Sequence, residues 1–430
     1  MASEEQYSMR LAEFADFNPP RPLKKGAIAK LIDMAALPTS HRSIELSSIE
    51  KRPYSSGARF KNGDSLLARI TPCLENGKSA FVNCLQKDEV AAGSTEFIVI
   101  AAKREIEADF VYYASRLPEF RQYAISRMEG TSGRQRVSHH SIADFEFPFI
   151  EPEDRVAIGR MLRSLDDRID HNHALAAKLE AIARRLFKSW FVDFDPVRAK
   201  VTGEKPTGLA DNIAALFPDR FMESELGDVP EGWKVGKISE FSTNVRVGCT
   251  PSQFSAEDFY VGLEHFDRHC LTLWNGGSGD DAASNKSRFA KGDLLFGKLR
   301  PYFHKVAIAP MDGICSTDIL VIRCADKAYR EFMYFSLFQD DVIQFVSDAS
   351  GGTRMPRTNW ETLAGYDCVV PPQPVACAFG EIVAPMIETM MQCVSENAAL
   401  TKIRDLLLPR LISGKLRVED AESIIEEAVA

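Results

Sequence analysis

The 430 residues are 45% apolar and 26% charged, with 22 prolines against 26 glycines, proportions of an ordinary folded chain that exclude collagen-like, low-complexity and disulfide-stapled miniprotein classes. The net charge of −9 argues on its face against a nucleic-acid partner, yet residues 1–150 hold 20 basic and 19 acidic groups while 374–430 hold 5 and 9, so acidity gathers toward the C-terminus. Nine scattered cysteines without a C-x-x-C pair, no apolar run near the roughly 18 residues of a membrane span, and an opening MASEEQYSMR without a leader pattern lead to an expected cytoplasmic chain with no membrane, disulfide or metal site.

Taken in chain order, residues 1–150 read as a first mixed α/β domain. Its strands lie in SLLARI, SAFVN and EFIVIAA, and an aromatic-rich helix in ADFVYYASRL follows them. Residues 151–191 form a long helix whose seam steps by four and three: Ile158, Leu162, Leu165, Ile169, Asn172, Ala176, Leu179, Ala183, Leu186, Trp190. Residues 192–232, rich in Pro, Gly and Asp, read as an ordered connector. A second mixed domain, 233–373, has strands in DLLFGKL, KVAIA and DILVIRC, and a second long helix, 374–415, carries Phe379, Val383, Met386 and Met390 on its seam. An acidic tail, 416–430, ends the chain.

The two domains are copies. RFKNGDSLLARITP from Arg59 returns as RFAKGDLLFGKLRP from Arg288, and STEFIVI from Ser94 returns as STDILVI from Ser316. Both copies continue with an aromatic helix, a Gly/Ser/Thr loop with two arginines, and a short apolar segment running into proline. Five blocks in one order indicate duplication. The long helices also correspond, but NHAL at Asn172 matches NAAL at Asn397 four residues late, which predicts a stutter in the second seam. The fold class expected is α+β: two duplicated mixed α/β domains separated by two long helices that form an antiparallel coiled coil.

Strings that suggest catalysis lack their context. Asn18-Pro19-Pro20 is followed by Arg21 where a base-stacking aromatic would stand, and His171-Asn172-His173 lies in a helix. The glycines after Asn275 have no following Lys-Ser/Thr, and Pro218-Asp219 with Glu231-Gly-Trp-Lys has one residue too many for a nuclease motif. A binding protein without catalytic residues is expected. Two similar heads on a stiff spacer suit a target with two sites, as duplex DNA offers. Arg and Lys read guanine and Gln and Asn read adenine in the major groove. The candidates are therefore the two equivalent loops, Ser132, Arg134, Gln135 and Arg136 in the first copy and Thr353, Arg354 and Arg357 in the second. Residues around the matching prolines join them: Arg69 and Lys78, then Lys298, Arg300 and Tyr302.

LFKSWFVDFDPVRAK from Leu186 and LFPDRFMESELGDVPEGW from Leu216, with RITPCLENGK at Arg69 and GKLRPYF at Gly297, resemble the specificity subunits of Type I restriction-modification systems over nearly the whole chain. The resemblance implies two target-recognition domains reading a split double-stranded DNA sequence. It also implies two separate methyltransferase subunits that bind S-adenosylmethionine, and restriction/translocase subunits that join for cleavage. This chain would then need no cofactor of its own. Trp190 and Phe191, where the first helix enters the connector, are the candidates for partner docking. The first copy lacks the W-K-V-G-K-I lead-in at Trp233, which predicts a trimmed edge. The alternatives are a specificity subunit for a fused methyltransferase-nuclease partner, and a protein-binding scaffold with no DNA function.

Overall fold

The structure, a computed structural model, describes residues 8–44, 49–131, 133–350 and 355–429. It divides into two compact units: unit 1 is Met1–His171 with Glu396–Ala430, and unit 2 is Asn172–Ser395. The division passes through both long helices, Pro152–Phe191 and Gln373–Ile412. Each unit therefore owns one mixed domain and part of each helix, because those helix segments complete its core.

In unit 1 an antiparallel sheet runs in the order Ala15–Phe17, Phe97–Ala102, Asp64–Ala68, Ser79–Phe81. Unit 2 repeats it with Ser242–Val245, Ile319–Cys324, Leu294–Gly297, Val306–Ile308. Successive side chains of the central strands go to opposite faces, as the strand period dictates. Leu67, Ile98 and Ile100 join a cluster with the helix Ala108–Arg116, while Leu66, Phe97 and Val99 join another under a second sheet. That double burial explains why these strands read as continuous apolar runs.

The second sheet was not legible in advance. It runs Ile49–Pro53, Ile28–Ile32, Ala91–Gly93, Ala58–Phe60 in unit 1, with Ile28–Ile32 parallel to Ala91–Gly93. Its counterpart runs Gly277–Ser278, Phe259–Val261, Gly313–Ser316, Lys286–Phe289, Gly248–Cys249, with Phe259–Val261 parallel to Gly313–Ser316. Gly277, in the glycine-rich run after Asn275, thus lies in an edge strand.

The repeated Gly-Asp pair has a structural task. Gly63 and Gly292 take φ of +88° and +84°, left-handed values that suit glycine, in the turn entering each central strand. The next residue closes that turn: Asp64 accepts from Lys61 N at 2.8 Å and Asp293 from Ala290 N at 2.8 Å. Each buried carboxylate also takes two hydrogen bonds from an arginine, Arg21 in unit 1 and Arg323 in unit 2. Arg21, the residue that broke the N-P-P pattern, is therefore an ion-pair partner. Asn18 is equally committed, its Oδ1 accepting from Val99 N at 3.0 Å.

The expected trimmed edge is corrected. Ser8–Arg10 pairs antiparallel with Glu146–Pro148 as Lys234–Lys237 pairs with Asp367–Val370. Arg10 N donates to Glu13 and Lys237 N to Glu240 in the same local turn. The lead-in exists in both copies under different side chains.

The long helices pack antiparallel through their seams. In unit 1, Ile158, Leu162, Leu165 and Ile169 share a core with Leu400, Leu407 and Leu411. In unit 2, Ala176, Ala183, Phe187 and Trp190 share one with Phe379, Val383, Ile387 and Met390. Asn397 Nδ2 donates to Ile169 O at 3.2 Å, and Arg404 meets Asp166, so position numbers rise on one helix as they fall on the other. The four-residue insertion leaves its mark where a stutter is expected: buried Phe379, Val383 and Ile387 step by four twice, whereas buried residues at 390, 393, 397, 400, 404, 407 and 411 alternate three and four.

Gln373–Ile412 is long and apolar enough, at mean hydropathy 1.2, to cross a membrane by length and composition. Its apolar side is instead occupied by the core residues just named. The segment expected as an acidic tail contains the helix Val418–Val429, whose Val418, Ala421, Ile424 and Ile425 pack on the unit 1 core. Likewise the connector is knit into unit 2 through Phe194, Val197 and Phe217.

Candidate nucleic-acid interface

At the C-terminal end of each central strand the chain turns outward and is met by the arginine loop. In unit 1, Arg69 N donates to Glu96 O at 3.0 Å, Val137 N to Arg69 O at 2.9 Å, and Thr71 N to Gln135 O at 3.1 Å. In unit 2, Lys298 N donates to Asp318 O at 2.8 Å, Thr358 N to Lys298 O at 3.0 Å, and Arg300 N to Pro356 O at 2.8 Å. The bridges Ile70 to Arg136 and Leu299 to Arg357 complete the match. The structure thus brings together the two groups of candidates that the sequence keeps some 60 residues apart in each copy.

The side chains repeat as well. Arg136 holds Glu96 with Nη2–Oε1 at 2.7 Å and Nε–Oε2 at 2.9 Å, and Arg357 holds Asp318 at 2.9 Å. A carboxylate aims each guanidinium and leaves it partly exposed, so donors remain for an acceptor outside the protein. The Glu96 side chain also pushes the Arg136 guanidinium pKa upward.

The other candidates divide. Arg134 is exposed, and Tyr302 is 51% exposed. Gln135 is half-buried and its backbone N donates to Thr71 Oγ1 at 3.2 Å. Arg69 and Arg300 are half-buried, each with a buried Nε that lacks a partner among the described residues. Arg300 adopts φ +50° at the turn. Ser132, Thr353 and Arg354 lie outside the described residues.

Three candidates have partners inside the fold. Lys78 is half-buried, and its Nζ donates to Met34 O at 2.9 Å, propping the 33–37 turn. Trp190 and Phe191 are core residues of unit 2. The Trp190 ring centroid lies 5.1 Å from that of Phe217, and Phe191 is 5.1 Å from both Phe332 and Phe379. Helix periodicity marked these two rings as apolar but could not say that the domain itself would consume them.

Unit 2 also holds a cleft of about 580 Å³ beside the Arg357 loop, lined by Asn244, Arg246, Gln253, Asn285, Lys298 and Asn359 among others. Amides and cations of this kind match base edges. Only Lys298 was anticipated; burial lowers its ammonium pKa, against the opposing pull of Asp318. Recurrence between the copies does not mark Asn244 or Arg246: Phe17 and Pro19 stand in unit 1 where these two stand in unit 2, at the offset of the paired lead-ins. Asn359 is partly spoken for, its Oδ1 capping Thr362 N at 2.8 Å, and Arg246 pairs with Glu361 at 2.9 Å.

No protein-family model matches the chain. Among curated proteins it is 28% identical over 421 residues to the Type I restriction enzyme HindI specificity subunit of Haemophilus influenzae, covering 86% of this chain and 90% of that protein. It is 23% identical over 330 residues to the MjaIX specificity subunit of Methanocaldococcus jannaschii, covering 75% and 72%. In fold it matches the crystal structure of a Type I restriction-modification S subunit from M. genitalium at a TM-score of 0.53 and 14% identity, over 96% of this chain and 98% of that one. In sequence over most of its length, and in fold over nearly all of it, this chain is similar to the specificity subunits of Type I restriction-modification systems.

Proposed function

We propose that this chain is the DNA-specificity subunit of a Type I restriction-modification complex, itself non-catalytic. Each unit reads one half of a bipartite duplex target in the major groove, and the paired helices fix the gap between halves. Two methyltransferase subunits carrying S-adenosylmethionine, and restriction/translocase subunits, assemble on it in the cytoplasm. The observation that carries this reading is the repeated exposed arginine aimed by a carboxylate, Arg136 on Glu96 and Arg357 on Asp318, at the same place in two duplicated units. Bidentate arginine is the commonest reader of guanine, and one such reader per half-site is what a split target requires.

The test is to express the chain with a Type I methyltransferase subunit and map N6-methyladenine in the DNA. Methylation at two short sequences separated by a fixed gap is expected. Methylation at one uninterrupted sequence, or none dependent on this chain, would overturn the reading.

A further inference from the structure

We infer that unit 2 contains a binding site for a divalent transition-metal ion of the zinc class, formed by His269, His304 and Asp340. Their donor atoms lie within 4.8 Å of one another, the one such cluster of three among the described residues. His304 Nδ1 is 3.2 Å from Asp340 Oδ1, close to the spacing two ligands adopt around a tetrahedral ion with bonds of about 2.0–2.2 Å. His269 Nδ1 is 4.0 Å from the same oxygen and on the exposed side, so a small rotation of that side chain closes the set.

The independent sign of a ligand is His304 itself. Its side chain is 1% exposed, yet neither ring nitrogen has a well-aligned hydrogen-bond partner among the described residues, the Asp340 carboxylate and the Phe338 backbone lying near it without full hydrogen-bond geometry. A buried imidazole with poorly satisfied nitrogens is a cost that coordination through one of them would reduce. Both histidines also hold left-handed backbone angles, φ +54° and +50°, which non-glycine residues rarely adopt. They are pinned there by the bond from His269 N to His304 O at 3.1 Å. The His304 ring sits between those of His269 and Phe338, with centroids at 4.5 and 4.4 Å. Arg184 opposes a cation here, but Glu180 at 3.7 Å partly offsets its charge.

Two nitrogens and one carboxylate oxygen suit zinc and its neighbours better than calcium or magnesium, and leave a fourth position for water. Ligation would join the turn Pro301–Phe303, which follows Arg300 and carries Tyr302, to the start of the helix Asp340–Asp348. The site would thus brace a candidate DNA-contacting turn.

The test uses the full chain after chelator treatment, titrated with Co²⁺ and then Zn²⁺, with no DNA or partner present, so its outcome is separate from the DNA reading. One Co²⁺ per chain with visible d–d absorption, displaced by Zn²⁺, is expected. His269→Ala and Asp340→Asn change exposed side chains and should each weaken binding by more than about tenfold, while His140→Ala in unit 1 should not. Zn²⁺ should raise the Tm of the parent and not of the two variants. Absence of stoichiometric Co²⁺ binding, or binding that both variants retain at parental affinity, would overturn the site.

Discussion

Asp166 and Arg404, 238 positions apart in the chain, meet as a buried ion pair with 2.6 Å between Oδ1 and Nη1. The second carboxylate oxygen accepts from Tyr113 OH at 2.6 Å, and Arg404 also reaches Asp405. Such a pair at a helix seam adds little net stability over an apolar substitute but makes other registers costly, since a shift would bury either charge alone. Arg404→Met should therefore lower the stability of unit 1 by about 3 kcal/mol, and the double variant with Asp166→Leu should regain part of it. Denaturant unfolding of the three variants measures the difference. Equal losses in single and double variants would count against a pairwise role.

The matched arginines lead to a recognition experiment. Arg136→Ala is expected to relax or change one half of the methylated sequence and leave the other intact, and Arg357→Ala to do the reverse. A base contact of this type discriminates by about 1–3 kcal/mol, or roughly 5- to 150-fold in relative methylation. Uniform weakening on every sequence would assign both arginines to phosphates.

The helices permit a separate change of spacing. Insertion of seven residues in each helix, at 171/172 and at 395/396, preserves the seam and adds about 10 Å of helix. The preferred gap should lengthen by about three base pairs while both half-sites stay the same. Methylation mapping reads this directly; an unchanged gap would remove the spacing role from the helices.

Acid should destabilise unit 1 through His41. Burial, followed by the charge of Arg116, lowers its pKa from 6.5 to about 4, with Arg404 acting in the same sense and Asp166 in the opposite one. Because the folded value lies below the unfolded one, the unfolded chain takes up the proton first. The contribution is intact above about pH 6.5 and is lost as pH falls toward 4. Urea midpoints at pH 7.5 and 5 should drop less in His41→Gln than in the parent.

Local pattern made much of the architecture legible. The strands in SLLARI and DLLFGKL, the aromatic helices and both 4–3 seams follow from side-chain periodicity, which depends on neighbours in sequence. The repeat likewise marks the two loops as equivalents. Less visible were contacts whose partners are distant: Ser8–Arg10 beside Glu146–Pro148, or Leu31 beside Ala92 in a parallel pair. Asp64 and Asp293 recur at matching positions, yet their arginines come from different places in the two copies, so comparison of the copies could not find them.

What the sequence determined by itself was a duplicated α+β chain with two long apolar-seamed helices and a pair of equivalent arginine loops, since repeats and periodicities are properties of order along the chain. Tertiary structure alone decided that Lys78 braces a turn, that Trp190 and Phe191 lie in a core, and that Arg136 and Arg357 are aimed by carboxylates. It also decided that His269, His304 and Asp340 converge. The availability of a side chain depends on which distant groups fold against it, and that is settled only when the sheets and helices close on their cores.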